Sequence, residues 1–279
     1  MRTGIIDIGG GLRGIFGAGV FDRLLSENII LNDIYGVSAG AANAITYIGK
    51  QKGRTLRFYK DYAKRPEYMS IMNLMKTGSF LGLSYIYETL SNSDGEDPLN
   101  YDGLASFQGS FTTVVTDAAT GKAVYFDKSA YSRNNYKALM ASSCLPVVCK
   151  PVEIDGKEYF DGGASDPVPV EKAFLDGCEK LILILTRPKN DLHNPSLDRK
   201  AALLIKNKHP ETAKALYDRH IAYNESLKAA LQYEKEGRLL IIAPDSIKGL
   251  GTLTRDNEKL SALYNEGYSK AEAIIDFIK

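Results

Sequence analysis

Gly36-Val37-Ser38-Ala39-Gly40 is the strongest chemical signal in the chain. A serine with glycines two residues to either side suits a strand-to-helix turn, because neighbouring Cβ atoms would otherwise clash there. Such a turn lifts Oγ into the open at a helix N-terminus, where free N–H groups and the helix dipole favour developing negative charge. The chemistry this allows is nucleophilic attack on an ester carbonyl; the alternative is a structural turn. Gly9-Gly10-Gly11-Leu12-Arg13-Gly14 supplies a second part. Three consecutive glycines let backbone N–H groups crowd a tetrahedral oxyanion with no side chain in the way. Arg13 adds a positive charge beside the loop. Its expected role is to hold the loop through backbone carbonyls, the alternative being contact with a lipid phosphate.

A nucleophilic serine needs a base, and the only histidines are His193, His209 and His220. His193 follows a predicted strand after a short loop and would complete the Ser, Asp, His order of a hydrolase triad. As a lone loop histidine it reads more simply as a surface residue. His209 precedes Pro210 at a helix start, and His220 lies within a helix. The better base is Asp161 in Tyr159-Phe160-Asp161-Gly162-Gly163, a carboxylate presented on a sharp turn with space around it. The competing reading is an aspartate that satisfies turn amides. With an ordinary pKa of about 3.9 it is a weak base, so it would need contact with the serine hydroxyl and partial desolvation.

The glycine loop has a rival reading. Gly9-x-Gly11-x-x-Gly14 between a strand and a helix, with Asp33 beyond it, fits a dinucleotide-binding fingerprint. Against this, Asp33 begins the second strand instead of ending it, and that strand runs into the serine elbow.

The elements that must position these residues follow from the apolar runs. Residues 4–8 read as a buried strand, followed by the glycine loop and a helix over 15–27. Residues 33–37 form a second strand, turning at Ser38 into a small-residue helix over 39–47. Further strands are predicted at 111–116, 123–126, 181–186 and 239–243, with helices between and after them. This alternation implies an α/β fold with a mostly parallel central sheet and helices on both faces. Residues 68–90 hold Met69, Met72 and Met75 among other apolar side chains, and form either an adaptable acyl pocket or lid or ordinary core packing. The part from about 197 to 279 is mostly helical, a charged cap around one strand.

Taken in order, the glycine loop, the Ser38 elbow and Asp161-Gly162-Gly163 resemble the patatin-like phospholipase family, over about residues 4–186. The resemblance implies a three-layer sandwich related to the α/β-hydrolases. It also implies a serine-aspartate dyad without a catalytic histidine, and acyl-ester hydrolysis of phospholipids or other lipids with no metal or cofactor. By position, Ser38 matches the nucleophile, Asp161 the base, and Gly10, Gly11 and Leu12 the oxyanion loop. Arg13, Gly36, Gly40, Gly162 and Gly163 are the supporting residues. The segment 141–151 also resembles the family's approach to its aspartate, and Ile8 is a small departure before the glycines. A non-catalytic lipid-binding module and a dinucleotide-dependent enzyme remain as alternatives.

Composition sets the outer limits. Hydrophobic residues make up 44% and charged residues 25% of 279, the balance of a globular protein. A formal net charge of +1 offers no basic patch for nucleic acid. Three cysteines without CxxC spacing indicate neither a disulfide framework nor zinc, and read as buried free thiols. With no signal-peptide pattern and no run of ~20 apolar residues, a cytoplasmic protein is expected. It would form a single domain over residues 1–279 and meet lipid at a surface only transiently. Oligomeric state is not legible.

Overall fold

The computed structural model describes residues 2–247 and 249–279. Eight strands form one sheet: β1 (Thr3–Asp7), β2 (Asp33–Val37), β3 (Ser110–Asp117), β4 (Ala123–Phe126), β5 (Val152–Ile154), β6 (Lys157–Asp161), β7 (Lys180–Ile184) and β8 (Leu239–Ile242). Eleven α-helices join or surround them: α1 (Ile15–Ser26), α2 (Ala39–Ile48), α3 (Arg54–Lys60), α4 (Ile71–Thr77), α5 (Tyr101–Ser106), α6 (Lys137–Ser142), α7 (Val170–Leu175), α8 (Ser196–Ile205), α9 (Pro210–Lys235), α10 (Asn257–Lys270) and α11 (Glu272–Phe277). The strand order is β5-β6-β3-β2-β1-β7-β8, with β4 paired to β3. β3, β2, β1, β7 and β8 run parallel, whereas β4, β5 and β6 join by antiparallel pairing.

The fold class read from the sequence holds, and the apolar runs explain why. β2 is buried at every position and β1 at all but its first, as expected for central parallel strands covered by helices on both faces. One core, containing Phe16, Val20, Ala44 and Ile45, packs α1 and α2 on one face. The other, containing Val170, Ala173, Tyr223 and Leu227, packs α7 and α9 on the opposite face. The expectation of helices between all later strands fails at β3 and β4. Those strands form an antiparallel hairpin whose turn is tied by Asp117 Oδ1, which accepts from Ala119 and Thr120 N–H. The C-terminal part is more than a cap, because its strand β8 extends the main sheet beside β7. Among the described residues, no helix is long and apolar enough to cross a membrane.

β3 organises the site. Val37, the last residue of β2, pairs with Val114, and Asp161, the last residue of β6, pairs with Val115. β4 pairs with residues 113–116 on the other edge. The ends of β2 and β6 therefore meet head to head along one edge of β3, and the two residues that matter follow or end those strands.

A second tie holds the amino-terminal half. The Asp7 carboxylate at the end of β1 is fully buried; it accepts the Gly9 N–H at 2.8 Å and the Asn43 Nδ2–H at 2.8 Å. Asn43 also donates to Gly14 O at 2.8 Å and accepts from the Tyr59 hydroxyl at 3.1 Å. The network fastens the glycine loop to α2. Asn43→Ala is expected to lower stability by roughly 2–4 kcal/mol, because it strips one donor from a buried carboxylate and removes the acceptor of the Tyr59 hydroxyl. Urea unfolding at neutral pH measures this directly.

Candidate active site

Ser38 occupies φ 57°, ψ −133°, a conformation that L-residues rarely adopt. Its flanking glycines are required by close approach. A Cβ on Gly36 would lie 2.3 Å from Ala41 Cα, and one on Gly40 would lie 2.1 Å from Asp7 O. The turn is tied to β3, since the Ser38 N–H donates to Ser142 Oγ at 2.9 Å and that hydroxyl donates to Val114 O at 2.8 Å.

Asp161 is 2% exposed. Its Oδ1 accepts the Gly163 N–H at 2.8 Å, while Oδ2 is buried without a hydrogen-bond partner. The turn-amide reading is thus realised by one oxygen, and the other is left free for chemistry. Burial raises the pKa of this carboxyl to about 6, with the Ser38 hydroxyl and the Gly163 amide opposing the rise. The two side chains are neighbours, with no hydrogen bond closed between them. Gly162 lies against Val114 O, where a Cβ would stand 2.2 Å away.

In the glycine loop, Gly9, Gly10 and Gly11 all have positive φ. The Gly10 and Gly11 N–H groups meet no acceptor among the described residues, whereas the Leu12 N–H donates to Thr252 O at 2.8 Å. The Ala39 N–H, at the first position of α2, is also without a described acceptor. Thr186 Oγ1 donates to Gly9 O and fixes the loop from the end of β7. Among the described residues Arg13 does not hold the loop as expected: its guanidinium bonds no carbonyl, and its Nε is buried without a partner.

An apolar cavity opens beside Ser38, lined in part by Phe58, Met69, Leu81, Leu83, Ile86 and Leu145. The insertion at 68–90 thus divides. Met69, Leu81, Leu83 and Ile86 build the cavity wall, while Met72 and Met75 stand exposed on α4 with Ile71 and Leu74.

His193 is not the surface residue expected. It pairs with Asp198 at 2.6 Å with its side chain only 12% exposed. Asp198 in turn meets Arg219, whose Nε donates to Gly163 O. The histidine therefore reaches the Asp161 turn only through two intermediaries. Asp33 is held by Arg2 at 2.6 and 2.8 Å and by Ser110 at 2.7 Å. It lies at the amino end of β2, whereas the glycine loop leaves the carboxyl end of β1. Cys144, Cys149 and Cys178 are buried and unpaired. Sequence reasoning missed Asp7, Asn43, Thr186, Arg219 and Thr252; only a buried acid just before the glycines could have flagged Asp7.

Comparison with known proteins finds matches over both parts of the chain. The model of the patatin-like phospholipase family matches residues 9–174, and that of a domain of unknown function, DUF6363, matches residues 209–279. YjjU of Escherichia coli is 28% identical over 197 residues, 70% of this chain and 54% of its own length. An NTE family protein of Mycobacterium tuberculosis is 28% identical over 165 residues, 58% of this chain and 42% of its own. The chain spans about half the length of these curated relatives. Among solved structures, VipD from Legionella pneumophila is 14% identical with a TM-score of 0.49, covering 99% of this chain and 67% of that one.

The buried acid carries its own test. A carboxyl raised to about 6 from 3.8 binds its proton in the native state over a window where the unfolded chain has lost it. Its charge therefore costs stability in full above pH 6 and not at all below about pH 4. Asp161→Asn is expected to stabilise the fold by roughly 2–3 kcal/mol at pH 7, with the gain fading as pH falls through that window. Thermal denaturation of both proteins from pH 4 to 8 reads it.

Proposed function

Because the chain belongs to the patatin-like phospholipase family, we propose that it is a serine acyl hydrolase acting on fatty-acyl esters of lipids. Family membership supports lipid hydrolase activity. The finer reading, with Ser38 as nucleophile and Asp161 as base, is supported above all by one arrangement. A serine in a strained turn follows Val37, an aspartate with one unpartnered buried oxygen ends β6, and their strands pair with successive residues of β3.

In the mechanism, Asp161 takes the Ser38 proton as Oγ attacks the ester carbonyl. The tetrahedral oxyanion is held by the Gly10 and Gly11 amides, with Ala39 as the third donor. Leu12 joins them only if it releases Thr252. Asp161 returns the proton to the departing alcohol, leaving an acyl-enzyme. It then draws a proton from water as the water attacks the acyl carbon, and passes that proton to Ser38 Oγ as the acyl–Oγ bond breaks and the fatty acid leaves. The cavity beside Ser38 takes the acyl chain. Contact with a lipid surface runs through α4, whose Ile71 and Met75 are 70% and 75% exposed. Residues 1–279 act as one unit in this proposal, since β8, Arg219 and Thr252 from the C-terminal part reach the sheet and the site.

Intact mass after fluorophosphonate treatment is expected to show one adduct on the wild type and none on Ser38→Ala. Asp161→Asn should lower ester turnover by at least about 100-fold, whereas His193→Ala should retain most of it. No adduct on folded wild type would move the reading to a lipid-binding module.

Only the ionised form of Asp161 can accept the proton, so kcat/KM is expected to fall as pH drops through about 6. Asp7, raised to about 6 by burial, adds to the same limb by loosening the glycine loop when protonated. A pH profile of kcat/KM that stays flat down to pH 5 would remove Asp161 as base.

A further inference from the structure

One wall of the cavity beside Ser38 is charged. Besides its apolar lining, the cavity is bounded by Arg54 and Ser91. Both are buried, Arg54 at 5% exposure. Arg54 stands at the end remote from the serine. Ser38 precedes the first turn of α2, Ala39 and Ala42 line the cavity along that helix, and Arg54 Nη1 donates to Thr46 Oγ1 at 3.4 Å in its last turn. The eight residues from Ser38 to Thr46 give about 12 Å of helical rise.

The guanidinium is held in place, but its charge is only partly met. Nη2 donates to Ser91 Oγ at 2.8 Å and to Asp97 O at 2.7 Å, and the group lies 4.4 Å from the centre of the Phe58 ring. Ser91 donates in turn to Ile86 O at 2.7 Å, and Ile86 is itself a cavity residue. The Asp97 carboxylate stands 3.3 Å from Arg54 Nε, which has no hydrogen-bond partner among the described residues. Arg57 takes both Asp97 oxygens, at 2.8 and 3.1 Å, and the Tyr62 hydroxyl donates to one of them at 3.2 Å. One carboxylate thus serves two arginines, of which Arg57 is half-exposed and Arg54 is not. Burial lowers the Arg54 pKa to about 10, with Asp97 opposing the fall. A buried cation with a shared counter-ion is costly to strip of further polar surroundings, so an apolar chain end pressed against it is disfavoured.

We infer that Arg54 is the floor of the acyl cavity and limits the length of the chain, so that the site prefers medium-chain acyl esters to long-chain ones. This rests on the acyl hydrolase reading above and specifies its substrate class. The distance from Ser38 to the floor corresponds to about eight to ten carbons of extended chain. Each methylene up to that limit gains burial against Met69, Leu81, Leu83 and Ile86. A longer chain must bring its methyl end onto the guanidinium or fold back toward the mouth, so the preference peaks instead of climbing.

Turnover of 4-nitrophenyl esters from butanoate to tetradecanoate reads the length directly. In the wild type, kcat/KM is expected to peak at octanoate or decanoate and to fall at least about tenfold by tetradecanoate. Arg54→Leu should move the peak to longer chains, whereas Arg54→Lys, which keeps a cation at the floor, should leave it in place. A wild-type profile that is flat, or still climbing at tetradecanoate, would overturn the assignment, and this holds even if Arg54→Leu fails to fold. An unchanged peak on folded Arg54→Leu would overturn it as well. Labelling of Ser38 by a small fluorophosphonate, whose groups are too short to reach the floor, is scored separately. Labelling and turnover with no length preference sink the floor alone; neither labelling nor turnover at any length sinks the hydrolase reading and the floor with it.

Discussion

The Asp7 carboxylate is the constraint on which the rest of the site depends. It ends the first strand in full burial, and its two oxygens are spent on the Gly9 N–H and on Asn43. A charge so placed is tolerated only because donors meet both oxygens. Those donors belong to the two elements that must be held in register, the glycine loop and the helix that follows Ser38. The glycines around it follow from the same tie. Gly17 and Gly40 approach Asp7 so closely that a Cβ on either would lie 2.1 Å from one of its oxygens. Small residues here allow the polar contact to form.

The second constraint is the shared edge of β3. Two strands of opposite direction end against successive residues of one neighbour, which brings together a serine and an aspartate separated by more than 120 positions in the chain. Strain at Ser38 and an unpartnered oxygen on Asp161 are both unfavourable for folding, and each is stabilised by surroundings already rigid for other reasons. Ser142 illustrates this, bonding the Ser38 amide on one side and Val114 on the other.

The C-terminal part supplies walls and charge to this centre. Thr252 occupies the Leu12 amide, Leu253 lines the cavity, and Arg219 caps the turn after Asp161. Its attachment is close: α10 crosses α1 where a Cβ on Gly19 would stand 2.1 Å from Tyr264 O, and one on Gly267 the same distance from Phe16 O. A segment with no recognisable chemical motif of its own thus decides which amides of the glycine loop are bonded and which stay free.

The central strands, the serine elbow and the glycine loop were legible in the sequence because their causes are local. A buried parallel strand needs an apolar run, a strained turn needs glycines at fixed offsets, and a helix start needs small residues after the bend. Asp161 stood out for the same reason, as an acid before two glycines. What the sequence could not settle was partnership. Nothing local distinguishes an Asp161 that satisfies a turn from one that faces Ser38, or predicts that Arg13 has no carbonyl to bond, that His193 meets Asp198, or that Leu12 gives its amide to Thr252. Composition and local spacing determined the elements and the candidate chemistry. Tertiary structure alone decided which donors are spent and which stay free, because hydrogen-bond satisfaction is set by long-range packing.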